Sequence, residues 1–459
     1  MKKQTTMVIA VALVAVIIVA AAGVMLVGND SNESDAAIAS KLQIRGNAND
    51  DHTIDAQDMA ILDDILAGKK EKKDYPLADV NGDGEVNDVD KKLLQALIDR
   101  KAGTTVYVLC IDRSGNDTTV PCTYPLRNVV PFATNAQGPL VLANGGEYVA
   151  GYFKISYKIS QASINKNAVD LKGDDRKIDD AMWKNFTTLA GSLNNNIGAF
   201  ITDYSAVAHI TDLRADDLRA AGIPLLIYKS ADAKDEITTV LTLGFLFGGD
   251  CEKMTVKYAQ KSWNVFDQID KKVGGLKDAD RSSYISCTMN TSICQNDSTY
   301  NTSGIEAGGI PYYKVNADFA QKYKGKSSVA MASTEALSNY KDVDAILSNR
   351  SIDWCKDASG YNEAIVKEWE SIKKGVPTID YFKGFENKLY YVNNILPGAV
   401  KVAYMAHALY GDDFSREWAD GVLEDFIDLG SKPLSGQSLK TIVAFIGEDD
   451  YKNAKKALA

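Results

Sequence analysis

Histidine is nearly missing from this chain, with three in 459 residues. That scarcity disfavours zinc sites and Cys/His or Ser/His catalytic pairs, which need imidazole as ligand or base. An excess of positive charge is missing too. Lysine and arginine total 51 against 61 aspartates and glutamates, a net charge of −10, so nucleic acid is not an expected partner. There is no nucleophile elbow and no phosphate-cradling glycine loop, and the chain reads as a non-enzyme. Cysteine is sparse at six residues, and none has metal-ligand spacing. In an exported chain such cysteines are expected to be paired, with Cys110–Cys122 and Cys287–Cys294 the local pairings.

Long apolar runs are absent except for one. Met7 to Val27 is unbroken by polar residues after Lys2 and Lys3, long enough to cross a bilayer and oriented by its lysines with the N-terminus inside. No cysteine follows it for lipid attachment, so residues 1–29 are expected to be an uncleaved anchor, with a long signal peptide as the alternative. Residues 30–41 then form a polar linker. The remainder is expected on the extracellular face of the membrane, which suits the Asn-x-Ser/Thr triplets at Asn116, Asn185, Asn290, Asn296, Asn301 and Asn349.

A repeat opens the folded chain. Asp79, Asn81, Asp83, Glu85, Asn87 and Asp90 occupy positions 1, 3, 5, 7, 9 and 12 of a loop with Gly84 at position 6. Calcium needs six to eight hard oxygen ligands, and this spacing wraps the chain around one ion, with position 7 contributing its carbonyl. Thirty-two residues earlier, Asn47, Asn49, Asp51, Thr53, Asp55 and Asp58 repeat the pattern, but Asn47 replaces the first carboxylate and His52 the glycine. The first loop is therefore expected to bind more weakly, with a strained turn at His52. An apolar helix follows each loop. Twin loops of this kind, each ending in Asp, resemble a dockerin domain, the calcium-dependent module that docks into cohesin domains; the resemblance covers residues 42–102. It implies calcium as cofactor and a cohesin-like surface partner. Positions 10 and 11 are Ala56-Gln57 and Asp88-Val89 rather than the usual Ser-Thr type, and a calcium-stapled spacer without a partner is the alternative.

From Thr104 short apolar runs alternate with helical patterns, the texture of an α/β domain. Residues 104–235 and 276–459 read as two lobes. Between them, residues 236–275 read as a connector: a short apolar helix ending at Gly248 and Gly249, then a long one capped by Asp250. Met254, Tyr258, Ser262, Phe266, Ile269 and Val273 give that long helix one apolar stripe. A surface helix of a single large domain is the alternative.

This order resembles the substrate-binding proteins of ABC importers for iron-siderophores, haem and cobalamin. The residues that carry the likeness are Arg127-Asn-Val-Val-Pro131, Gly145 to Gly151, Ile223 to Tyr228, Leu243 to Gly249, Met331 to Leu337 and Asn387 to Val392. It implies two Rossmann-like α/β lobes bridged by one long helix, a metal chelate or corrinoid as ligand, and an ABC permease as partner. Glu335 matches the C-lobe glutamate that grips the permease. The corresponding N-lobe segment, Ser192-Leu-Asn-Asn-Asn196, has no carboxylate.

In open α/β sheets ligands gather beyond the carboxyl ends of the strands, so two facing lobes place those ends across a cleft. The rule nominates Ala133, Thr134, Asn135, Tyr152, Phe153, Asp203 and Tyr204 on the first lobe. On the second it nominates Asn290, Tyr312, Tyr313, Asn349, Trp354, Asn393 and Asn394. The aromatics offer flat apolar area with a polar tip, although core packing explains each equally well. Arg350 is the only arginine near a nominated loop, so a neutral chelate or corrinoid suits the cleft as well as an anionic one. A cell-surface scaffold acting through the dockerin-like module is the second functional reading.

Overall fold

A computed structural model of the chain describes residues 35–132, 134–154, 158–173, 177–204, 213–229, 232–288, 292–294, 299–322, 328–330, 337, 339–376, 379–380 and 382–459. The apolar run from Met7 to Val27 lies outside them. Among the described residues no helix is long and apolar enough to cross a membrane.

The last residue of each acidic loop does two jobs. Asp58 closes the first loop and, three residues into helix α1 (Ala56–Leu66), its carboxylate accepts from Asp55 N at 2.8 Å, while Asp55 caps the helix through Gln57 N. Asp90 and Asn87 repeat this box at the start of helix α2 (Asp88–Ile98). A carboxylate against the free N–H groups of a helix start stabilises it by about 0.5–2 kcal/mol, which couples loop shape to helix formation.

The repeat is joined through its own backbone to the hairpin of β1 (Thr105–Ile111) and β2 (Asp117–Thr123). Ile44 bridges Val108, Arg45 N donates to Tyr107 O at 2.9 Å, and Leu109 N donates to Gln43 O at 2.9 Å. Residues 43–45 thereby extend the hairpin by a third strand-like segment. Leu42, Ile44, Ile54, Leu62, Leu94 and Leu97 share one core with Val106 and Val108.

The hairpin register overturns the expected Cys110–Cys122 disulfide. Cys110 faces Thr118 and Cys122 faces Val106, so the two lie four rows apart, roughly 13 Å at 3.3 Å per residue, where a disulfide needs Cα atoms within about 7 Å. Both are buried thiols. Burial pushes Cys110 up to about 11 and Cys122 up to about 12, which makes them inert. The Cys287–Cys294 pairing depends on the Cys294 side chain, which is outside the described set.

The first lobe is built on a parallel sheet ordered β3 (Val129–Pro131), β4 (Ala199–Asp203), β5 (Leu225–Tyr228). Helix α3 (Thr134–Leu142) follows β3. On one face Phe132, Phe153, Phe186 and Phe200 form an aromatic cluster. After the sheet comes α4 (Ala233–Phe247), capped by Asp232 and ended by Gly248 at φ 72°. Gly249, at φ 60°, turns the chain into α5 (Asp250–Ile269). Asp250 does not cap this helix as expected: Gly249 holds the cap position and Asp250 is the first residue inside. Met254, Tyr258, Ser262, Phe266, Ile269 and Val273 are buried, but so are Cys251, Thr255, Ala259 and Val265. The buried face is broader than one stripe because α4 covers one flank and the second lobe the other.

The second lobe carries a seven-stranded sheet ordered β9 (Ser328–Ala330), β7 (Ser292–Cys294), β6 (Ser283–Thr288), β10 (Ala345–Arg350), β11 (Leu389–Asn393), β12 (Phe445–Ile446), with β8 (Ile310–Pro311) also on β6. Strands β6, β10 and β11 are parallel. The Asn/Ser/Thr-rich stretch before Gly309 holds β7 and helix α6 (Thr299–Glu306). Tyr284 OH donates to Asn301 O at 2.6 Å, and Asn301 and Ser303 are buried. Helix α7 (Gly398–Leu409) lies behind this sheet with most of its residues buried.

The crossing of α4 and α5 admits no side chain at Gly244, where a Cβ would come within 1.9 Å of Thr255 Oγ1. Gly244→Ala is expected to destabilise the protein by about 1–3 kcal/mol. Adding Thr255→Ala should recover part of that loss in a denaturant-melt double-mutant cycle, and simple additivity would refute the contact.

Candidate functional site

Of the two acidic loops, loop 1 (residues 47–58) and loop 2 (residues 79–90), the second presents its oxygens to its own backbone. Asp79 accepts from Gly82 N and Gly84 N at 2.9 and 3.0 Å, Asn81 from Asp83 N, and Asp83 from Glu85 N. Asp90 accepts from Val80 N, Asn81 N and Asn87 N. Asp58 and Asp90 are 0 % exposed, and no basic side chain pairs with either among the described residues. A buried, unpaired carboxylate is costly, and burial pushes Asp58 up to about 6 despite the N–H groups of Asp55 and Asn49. The donor set fits a hard divalent cation. No three Asp, Glu, His or Cys side chains already converge among the described residues, because amides and carbonyls complete this pattern and calcium would have to draw the carboxylates inward.

The loops differ in path. Position 4 is left-handed in both, at Asp50 (φ 58°) and Gly82 (φ 73°), but position 6 is so only at Gly84 (φ 94°). The strain expected at His52 therefore falls on Asp50, and Asn47 turns its amide nitrogen to the carbonyls of Leu42 and Asp51.

The second candidate lies between the lobes. Strands β4, β5, β10 and β11 end beside a cavity of about 190 Å³ whose walls include Thr202, Asp203, Glu236, Trp354, Asn394 and Lys401. Two contacts also join the lobes: Lys158 N donates to Asp353 at 2.9 Å, and Lys432 N donates to Asn144 Oδ1 at 2.7 Å. Two carboxylates tie the connector to the second lobe, Glu236 from the cavity wall and Glu306 from outside it. Glu236 of α4 accepts from Gly398 N, at the start of α7, at 2.7 Å and from Tyr258 OH at 2.6 Å. Glu306 of α6 accepts from Ala233 N and Lys234 N, at the start of α4. Lys401, held low by burial, faces both carboxylates, which oppose that shift, and it donates to Asn394 Oδ1 at 3.3 Å.

Of the nominated residues, Asp203, Trp354 and Asn394 line this cavity. The Trp354 Nε1–H is buried without a hydrogen-bond partner. Phe153 belongs to the aromatic cluster of the first lobe, and Tyr152 is half-buried against the main core. Tyr204 lies over Gly115 in the hairpin turn. Tyr312 is buried and donates to Asp342, and Tyr313 packs on the core of the second lobe. Asn349 is buried in the sheet, bonded to Ser286 Oγ, and Asn393 donates to Ile352 O and Val443 O. Arg350 is engaged by Glu368 at 3.0 Å. Thr134 and Asn135 open α3, without described side chains. Ala133, Asn290 and Glu335 lie outside the described residues. Position at a strand end does not mark Glu236, Glu306 or Lys401; the signal for Glu236 was the Pro397-Gly398 helix start, whose free N–H groups need an acceptor.

The arrangement holds polar groups around a partly open space. Of the three histidines, His52 is in loop 1, His209 is outside the described residues, and His407 is bonded to Phe414 O.

Burial, with Asp232 adding, pushes Glu306 up to about 7. Its folded value exceeds that of the unfolded chain, so its contribution to stability is full below about pH 4.5 and is lost as pH rises through 7. Glu306→Gln is expected to flatten the change in Tm between those limits, and an unchanged profile would refute this assignment.

Residues 45–99 match the model of the dockerin type I domain. No curated protein matches the chain. Among solved structures, the TroA-like periplasmic binding protein FepB from Veillonella parvula aligns over 74% of this chain and 99% of its own, with 12% identity and a TM-score of 0.52. The molybdate periplasmic binding protein MolA of a Haemophilus influenzae ABC transporter aligns over 72% and 99%, at 11% identity and TM-score 0.48. An ABC transporter solute binding protein from Sulfurospirillum deleyianum aligns over 76% and 99%, at 14% identity and TM-score 0.46. The chain thus carries a dockerin type I domain ahead of two lobes with the fold of the TroA-like periplasmic binding proteins.

Proposed function

We propose that this protein is the extracellular solute-binding component of an ABC importer, tethered through residues 7–27 and bearing a calcium-dependent dockerin domain. The observation that carries the reading is the cavity at the carboxyl ends of two sheets joined by one long helix, with both lobes contributing walls. A ligand held by both lobes gains affinity from their closure. The ligand class is a metal chelate. A volume of about 190 Å³ is below the usual 300–1,000 Å³ range for drug-sized ligands, so a compact chelate fits as the lobes stand and a haem or corrinoid requires them to part. Glu335 is the proposed permease contact.

Ligand affinity, followed by Trp fluorescence against ferric siderophores, haem and corrinoids, is expected to fall by roughly 1–3 kcal/mol in Trp354→Ala. Tyr204→Ala should leave it unchanged, and Glu335→Ala should slow uptake by cells while leaving affinity intact. Binding of no chelate, or loss of binding in Glu335→Ala, would turn the assignment toward the second reading, a surface scaffold acting through residues 45–99. That reading is favoured by the exposed Leu66 and Val89 on the dockerin helices.

Calcium is the proposed dockerin cofactor, held by Asp79, Asn81, Asp83, Glu85, Asn87 and Asp90 in loop 2 and by Asn47, Asn49, Asp51, Thr53, Asp55 and Asp58 in loop 1. Loop 2 has a carboxylate at position 1, where loop 1 has Asn47, and a glycine at the turn, where loop 1 has His52, so calcium titration should show Asp83→Ala costing more affinity than Asp51→Ala. The reverse order would refute the ranking.

A further inference from the structure

Five residues, Leu42 to Gly46, are bonded on both sides. Toward the dockerin, Leu42 N donates to Asp51 O at 2.8 Å, Asn47 Nδ2 donates to Leu42 O at 3.0 Å, and Arg45 Nη1 donates to Asp79 O at 2.9 Å. Both loops are therefore gripped by this segment. Toward the lobe, the same residues pair with β1, and Gln43 N donates to Thr242 Oγ1 of α4 at 3.2 Å. A second tie runs through Arg100, just past α2. Its guanidinium donates to Ile54 O of loop 1 at 3.3 Å, and to Glu252 in the first turn of α5 at 3.0 Å from Nε and 2.5 Å from Nη2. It also lies 4.6 Å over the ring of Phe245 in α4. The carbonyls that hold these ties, Asp51 O and Ile54 O, belong to the loop whose path a bound cation would fix.

We propose that calcium in the dockerin loops is a structural cofactor of the first lobe and of the start of the bridging helix, with Leu42–Gly46 and Arg100 as the mechanical link. This rests on the proposal that the loops bind calcium. A ligand stabilises whatever unfolds together with its site, and elements joined by shared core and backbone bonds open as one unit.

The test is hydrogen exchange on the full chain, with calcium chloride or with chelator, alongside calorimetric calcium titration. Calcium is expected to slow exchange roughly tenfold or more in residues 105–111 and in the first turn of α5, as well as in residues 47–98. Arg100→Met should still take up calcium in the titration but lose the calcium-dependent protection in α5 while keeping it in β1. Calcium uptake that protects residues 47–98 alone would overturn the proposal, as would calcium-dependent protection of α5 persisting in Arg100→Met. Should that variant not fold, the exchange pattern of the unaltered chain decides. If the titration shows no calcium uptake, the calcium reading falls first and this inference with it.

Discussion

A carboxylate set against the free N–H groups of a helix start recurs at the junctions of this molecule. Asp58 and Asp90 do this where loop becomes helix in the dockerin. Glu306 reaches from the second lobe to the start of α4, and Glu236 reaches from α4 to the start of α7. Each bond satisfies donors that a helix cannot satisfy itself, and those of Glu306 and Glu236 join elements distant in sequence. Losing one of these carboxylates leaves buried N–H donors unsatisfied, which costs more than the bond contributes. The junctions are consequently stiff, and the relative placement of lobes and connector is set by a few acids.

The glycine pair at 248 and 249 is the complementary device. Positive φ at both lets the chain reverse in two residues between helices that pack closely enough to exclude a side chain at Gly244. The short helix is buried almost throughout, so the connector is a two-helix hairpin rather than one rod. This explains why α5 buries more than a stripe.

The two-lobed α/β order, the connector and the calcium repeat were legible because each depends on local pattern: periodicity, glycine stops, and oxygen side chains at fixed spacing. What escaped was set by contacts across the fold. Tyr312 and Phe153 stand at strand ends as the cleft rule requires, yet Tyr312 finds Asp342 and Phe153 finds Phe132 and Phe200. No local signal separates such a core aromatic from a cleft one. Trp354 looks the same in sequence and lines the cavity. The cysteines failed for another reason: their spacing suited a pair, but the hairpin register, fixed by all seven paired rows, left them out of reach.

The distribution of strands makes the dockerin's position intelligible. Among the described residues the first lobe's main sheet has three strands against seven in the second, and other elements share in covering α4 and α5. The β1–β2 hairpin and the dockerin helices are among them: Leu62, Leu94 and Leu97 enter the same core as Val240, Phe245 and Met254. Burying apolar area at about 25 cal/mol per Å² favours this docking over a free tether, so residues 45–99 double as a structural layer of the lobe. A partner that grips the dockerin would therefore load the lobe's core directly, and through Arg100 and Glu252 the end of the helix on which the two lobes are hung.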